Sequence, residues 1–71
     1  MANAQPVNSE NIDTVSYDDE SATMTLTFNK GGEYRYFGVP REIPEGLLNA
    51  ASPGKYFFNY VRGQYRYQRV M

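Results

Sequence analysis

Apolar and polar positions alternate most regularly near residue 25. Met24, Leu26 and Phe28 are separated by Thr23, Thr25 and Thr27. A period of two with β-branched residues on the polar side predicts a strand with one buried face. Residues 12–17 (Ile-Asp-Thr-Val-Ser-Tyr) and 33–37 (Glu-Tyr-Arg-Tyr-Phe) predict strands on either side of it. Asp18-Asp19-Glu20-Ser21 and Lys30-Gly31-Gly32 read as the turns between them.

Parity then sets the register. Opposed residues share a face, so apolar sets must face apolar sets. A four-residue loop over residues 18–21 pairs Tyr17 with Ala22 and Val15 with Met24. A three-residue loop over residues 30–32 pairs Phe28 with Tyr34 and Leu26 with Tyr36, and leaves Thr27 opposite Arg35 and Thr25 opposite Phe37. The two hairpins agree on one buried face of Val15, Tyr17, Met24, Leu26, Phe28, Tyr34 and Tyr36.

Something must cover that face. Val39-Pro40 ends the meander. Ile43, Leu47, Leu48 and Ala51 recur at the spacing of one helical stripe. Proline is tolerated only in a first turn, so this helix is expected to start near Pro44, and Gly46 weakens it. Ser52-Pro53 reads as an N-cap followed by proline at the first helical position. A second helix through Tyr56, Phe57 and Tyr60, sealing the core with those rings, is expected to stop near Gly63. Residues 65–70 alternate again as a last strand. The expected fold is α+β: a three-stranded antiparallel meander, two short helices packed on one face, and a C-terminal strand, in the order βββααβ. Residues 1–8 are polar and aperiodic and read as a flexible tail; residues 9–71 read as a single domain.

Composition narrows the chemistry. The chain has 71 residues, 41% hydrophobic and 21% charged, which fits one small globular domain. It has no cysteine and no histidine, which removes disulfides, thiolate chemistry, the usual general base near neutral pH and the commonest metal ligand. No apolar run approaches the ~20 residues of a membrane span, and no basic, apolar leader is seen at the N-terminus, so a cytoplasmic location without membrane association is expected. Asp18-Asp19-Glu20 matches no cation-binding loop and reads as turn residues, and Gly31-Gly32 serves the hairpin rather than a phosphate. No serine or threonine stands in a recognisable catalytic motif. No enzyme activity, catalytic residue, metal or cofactor is expected.

Charge is unevenly spread. Residues 1–49 carry eight acids and three bases, a balance of −5, whereas residues 50–71 carry four bases and no acid, a balance of +4. The same C-terminal stretch holds six of the eleven aromatic residues. Tyr-Arg-Tyr occurs at residues 34–36 and again at 65–67, and on strands each arginine points away from its tyrosines. Arg35 and Arg66 are then expected on the outer sheet face with the three threonines. Arg35, Lys55, Arg62, Arg66 and Arg69 are the candidate nucleic-acid contacts; Phe37 and Phe58 are the candidate protein contacts. The opposing feature is an overall pI of ≈ 5.2, far below that of a strongly nucleic-acid-binding domain.

Residues 32–37 (Gly-Glu-Tyr-Arg-Tyr-Phe) followed by Val39-Pro40 resemble the KTSC domain family. The resemblance runs from about Ser9 to Val70. It includes Asn11-Ile12, Leu47-Leu48-Asn49-Ala50, Ser52-x-Gly54-Lys55-Tyr56-Phe57, and Val61-Arg62-Gly63 leading to Tyr65-x-Tyr67. The chain departs from the family at Pro44 and Gly46, where better helix formers are usual. The family is named for its occurrence at the C-terminus of some lysyl-tRNA synthetases and is also found as a stand-alone bacterial or phage protein. That context implies RNA as a partner. Two readings stay open: a small non-enzymatic module that binds single-stranded or structured RNA through an Arg/Tyr-rich C-terminal surface, and an adaptor that docks a protein through aromatic surface or a sheet edge. The oligomeric state is not legible.

Overall fold

The Thr-x-Thr strand is the middle of the sheet. In the computed structural model, which describes residues 4–71, β3 (Thr23–Phe28) lies between β2 (Ile12–Asp18) and β4 (Glu33–Tyr36), antiparallel to both. A short β1 (Gln5–Pro6) flanks β2, and β5 (Tyr67–Arg69) flanks β4, so the five strands stand in chain order. α1 (Glu42–Asn49) and α2 (Pro53–Tyr60) pack on one face. The α+β architecture is the expected one, with β1 added.

The buried face is also the expected one. Val15, Met24 and Leu26 are fully buried, Tyr17 and Tyr36 nearly so, and Phe28 and Tyr34 pack half-buried at one end. Leu47 of α1, Val61 just after α2, Val39, Ile12 and Val7 complete the core. Tyr17 donates its hydroxyl to the Val39 carbonyl, which satisfies the polar tip inside the core.

Both hairpin registers differ from expectation by two residues. Tyr17 faces Met24 and Val15 faces Leu26; Leu26 faces Tyr34 and Met24 faces Tyr36. Thr25, not Thr27, faces Arg35. Each loop has the expected length but sits one residue away. The first spans residues 19–22, because Ala22 adopts a left-handed φ of 54° and its carbonyl accepts from Val39 N–H at 2.9 Å. The second spans residues 29–31. Phe28 closes it, its N–H on the Gly32 carbonyl (3.1 Å) and its carbonyl accepting from Gly31 N–H (2.9 Å), Asn29 N–H extends the β2 pairing to the Asn11 carbonyl, and Gly31 and Gly32 take φ of 102° and 99°. Such angles are open to glycine and costly for other residues. A slip of two preserves parity, so every side chain keeps its face.

The expected N-terminal tail is partly structure. Gln5 pairs with Val15 and Pro6 with Thr14, and Val7 is buried with its N–H on the Asp13 carbonyl. Proline suits an edge strand because it has no donor to offer a further neighbour. Residues 1–3 of that expected tail lie outside the described residues.

The helices begin as their sequences dictate. Pro44 occupies the first turn of α1 and is buried. Ala51, expected on the α1 stripe, lies past the end of that helix and is exposed. Ser52 caps α2, its hydroxyl accepting from Lys55 N–H at 3.4 Å, with Pro53 at the first helical position. Tyr60, expected in the core, is 55% exposed, and Tyr56 is half-buried against it.

Candidate functional site

The pairing of β4 with β5 brings the aromatic side chains of the two strands together. Tyr34 faces Arg69, Arg35 faces Gln68, and Tyr36 faces Tyr67. Beyond the strand bounds, Phe37 N–H reaches the Arg66 carbonyl (3.0 Å) and Val70 N–H the Glu33 carbonyl (2.8 Å). Parity therefore sends Tyr34, Tyr36, Tyr67 and Arg69 to the helix face, and Arg35, Gln68 and Arg66 to the outer face.

Cover runs out towards this edge. Tyr36 is buried, Tyr34 is half-buried and Tyr67 is 60% exposed. α2 lays Phe57 against Phe28 and Tyr36, with ring centroids at 5.6 and 5.9 Å. Phe28 meets Tyr34 edge-on at 5.5 Å, and Tyr67 tilts against both Tyr34 (5.9 Å) and Tyr36 (5.6 Å). These five rings wall a cleft of about 540 Å³, closed at its rim by Gly31, Arg62 and Gly63. No carboxylate lines it.

Two arginines flank the cleft. Arg62 lines it, with its guanidinium 5.3 Å from the Phe58 ring centre. Arg69 lies 5.6 Å from the centre of the Tyr34 ring and donates Nε–H to the main-chain oxygen of Met71 at 2.9 Å. Burial, then the neighbouring Tyr67 and Tyr34, pushes the Tyr36 hydroxyl up to about 12, so it is neutral at physiological pH. Among the described residues the hydroxyls of Tyr34, Tyr36 and Tyr67 have no protein hydrogen-bond partner, and none is sealed from solvent.

The opposite face differs in charge. A depression there is lined by Ser16, Thr23, Thr25, Arg35 and Phe37, but Asp18 and Glu20 close one end. Arg66 lies 6.0 Å from the Phe37 ring centre on this face. The candidate bases therefore divide. Arg62 and Arg69 stand at the cleft; Arg35 and Arg66 share the outer face with Phe37; Lys55 and Phe58 are exposed on α2. The structure does not gather them on one surface.

The acidic turn is engaged in local structure. Asp18 accepts from Glu20 N–H at 3.0 Å, and Asp19 forms a 2.6 Å ion pair with Arg41, tying the β2–β3 turn to the start of α1. The hydrogen bond from Arg41 holds the Asp19 carboxyl below the ordinary carboxylate value. Among the described residues no group of three potential ligands is placed to hold a metal ion. No helix among them is long and apolar enough to cross a membrane. Arg35, Lys55, Arg62, Arg66 and Arg69 have no Asp or Glu carboxylate within ion-pair distance among the described residues.

The cleft walls were not singled out from the sequence. Phe57 reads there as core, and Tyr34 and Tyr36 as ordinary buried-face residues. The usable signal was the repeated Tyr-Arg-Tyr. Once the last strand is placed beside β4, five rings share one end of a face that α2 is too short to cover.

The KTSC domain model matches residues 8–65. A lysine–tRNA ligase from a Nostoc species is 39% identical over 59 residues, covering 83% of this chain, and the chain spans only 10% of that ligase's length. An uncharacterised protein of Stutzerimonas stutzeri is 36% identical over 63 residues, covering 87% of this chain and 89% of its own. The crystal structure of a KTSC domain protein from Yersinia pestis superposes with a TM-score of 0.92 at 28% identity, covering 97% of both chains. With the family model matched from the turn before β2 to the approach of β5, and 97% of the chain superposed on a solved member, this chain belongs to the KTSC domain family.

Proposed function

We propose that this KTSC domain is a small, non-enzymatic RNA-binding module acting in the cytoplasm. The observation that carries the reading is the set of exposed arginines which, among the described residues, pair with no Asp or Glu and lie over aromatic rings: Arg62 on Phe58, Arg66 on Phe37 and Arg69 on Tyr34. Arginine held beside exposed rings supplies both phosphate contact and a platform for bases. The likeness to part of lysine–tRNA ligases supports an RNA partner, because those proteins are named for a tRNA substrate.

Binding is weak and tolerant of sequence, since the net charge of −1 supplies no long-range attraction for a polyanion. The test is fluorescence anisotropy of a labelled single-stranded RNA at several salt concentrations. Each phosphate neutralised contributes ~0.7 to the slope of log affinity against log salt, so the two arginines on either face give a slope of about −1.4. No detectable binding at low salt removes the RNA reading. The adaptor reading then stands on Phe58, 60% exposed, and Tyr60 on the outer side of α2.

A further inference from the structure

We infer that the aromatic cleft between β4–β5 and the end of α2 seats one unpaired nucleotide, its base on Tyr67 and its phosphate held by Arg62 and Arg69. This inference rests on the RNA-binding reading and adds to it a site, a face and a state of the ligand.

Three features of the cleft select this occupant. Its walls are planar: Phe28, Tyr34, Tyr36, Phe57 and Tyr67 present ring surface, and Tyr67 meets its neighbours at 50° and 35° rather than in a parallel stack. Tyr67 therefore keeps ring surface open to solvent, consistent with its 60% exposure. Bases stack on such rings whatever their identity, because each has a π-face. The second feature is polar. The hydroxyls of Tyr34, Tyr36 and Tyr67 have no protein partner among the described residues and can donate to or accept from a base edge. The third is charge. The rim carries Arg62 with Arg69 beside it and no Asp or Glu, whereas the outer depression holds Asp18 and Glu20 beside Arg35. An anion is favoured at the cleft and opposed across the sheet.

Size and topology agree. A cleft of about 540 Å³ lies within the range of small-ligand sites, ~300–1,000 Å³. A base inside a duplex has both faces covered by its neighbours, so only an unstacked base can present one to Tyr67. The ligand is therefore a nucleotide in a single strand, loop or end.

The test uses the full-length ¹⁵N-labelled protein with three probes: a labelled single-stranded RNA, the same sequence as a blunt duplex, and a free nucleoside monophosphate. The strand is expected to shift the amides of Gly31, Gly63 and Tyr67, and the duplex to compete at least tenfold less well. Tyr67→Ala, at a position 60% exposed, should still melt cooperatively above the assay temperature and lose about tenfold or more in strand affinity. Tyr67→Phe should retain most of the affinity, and Arg62→Gln with Arg69→Gln should reduce both affinity and salt slope. Arg35→Gln with Arg66→Gln, on the outer face, should change affinity by less than about twofold. Strand binding that ignores Tyr67→Ala and is lost in the outer-face pair overturns the cleft site while leaving RNA binding intact. Equal competition by the duplex, or shifts from the monophosphate with none from the strand, overturns the unpaired strand as ligand. Absence of binding by any RNA removes this inference together with the reading it rests on.

Discussion

Gly46 lies inside α1, where glycine ordinarily costs a helix about 1 kcal/mol relative to alanine. On helix propensity alone Gly46→Ala should stabilise the domain. The packing of α1 against α2 reverses the sign. A Cβ at position 46 would stand 2.6 Å from Cζ and 2.9 Å from Cε2 of Tyr56, and closer still to its hydroxyl oxygen. Favourable carbon–carbon contact begins at about 3.5 Å, so the ring must move by most of an ångström or swing out. Swinging out breaks the contact with Tyr60, whose ring centroid is 4.8 Å away, and exposes half-buried surface. Overpacking of this kind costs ~1–3 kcal/mol, so the expected net effect is a loss of about 1 kcal/mol. In a domain stabilised by about 3–5 kcal/mol, that lowers the melting midpoint by about 4–8 °C. The assay is denaturant unfolding followed by circular dichroism for wild type, Gly46→Ala, Tyr56→Leu and the double variant. Leucine removes the overlapping ring, so in that background Gly46→Ala should recover the helix gain and stabilise by about 1 kcal/mol. The coupling between the two sites is then about 2 kcal/mol, well above the scatter of independent sites. A Gly46→Ala protein that is more stable than wild type, by the same amount in both backgrounds, refutes the steric account.

Leu26→Ala, at the fully buried centre of β3, should cost ~2–5 kcal/mol and leave little or no cooperative melting at room temperature; a variant that melts close to wild type would contradict the assigned core. Tyr36 supplies an alkaline test. Its folded value near 12 lies above the ordinary 10, so its contribution is fully present below pH 10 and is lost as pH rises from 10 to 12. Tyr36→Phe should flatten the fall in melting midpoint across that window and remove a late-titrating tyrosinate from the wild-type absorbance profile; an unchanged profile would show that Tyr36 is not shielded.

Periodicity and parity were enough to establish which face of each strand is buried. That conclusion survived an error of two residues in both hairpins, because the side-chain alternation also has a period of two. The caps behaved similarly: Ser52-Pro53 starts α2 through bonds that reach only three residues. Family membership was equally legible, since its motifs are spread along almost the whole chain.

What the sequence left undecided depended on distant residues. Asn29 N–H is held by the Asn11 carbonyl beyond the end of β3, and the Ala22 carbonyl was claimed by Val39 N–H. Neither partner is a neighbour in the chain, so turn chemistry alone could not place the loops. Val7 is a lone apolar residue in a polar segment and became core only because β2 offered a free edge. Gly46 looked like a weak point of α1 until Tyr56 was seen to fill the space beside it. The cleft follows the same rule. Composition put tyrosine and arginine in the C-terminal third, but which of them share a face depends on β5 pairing with β4, and which stay open depends on where α2 stops. Local alternation and capping are properties of a few adjacent residues and can be read from them; register, edge partners and uncovered surface are set by contacts between segments far apart in the chain, and only the folded structure contains those.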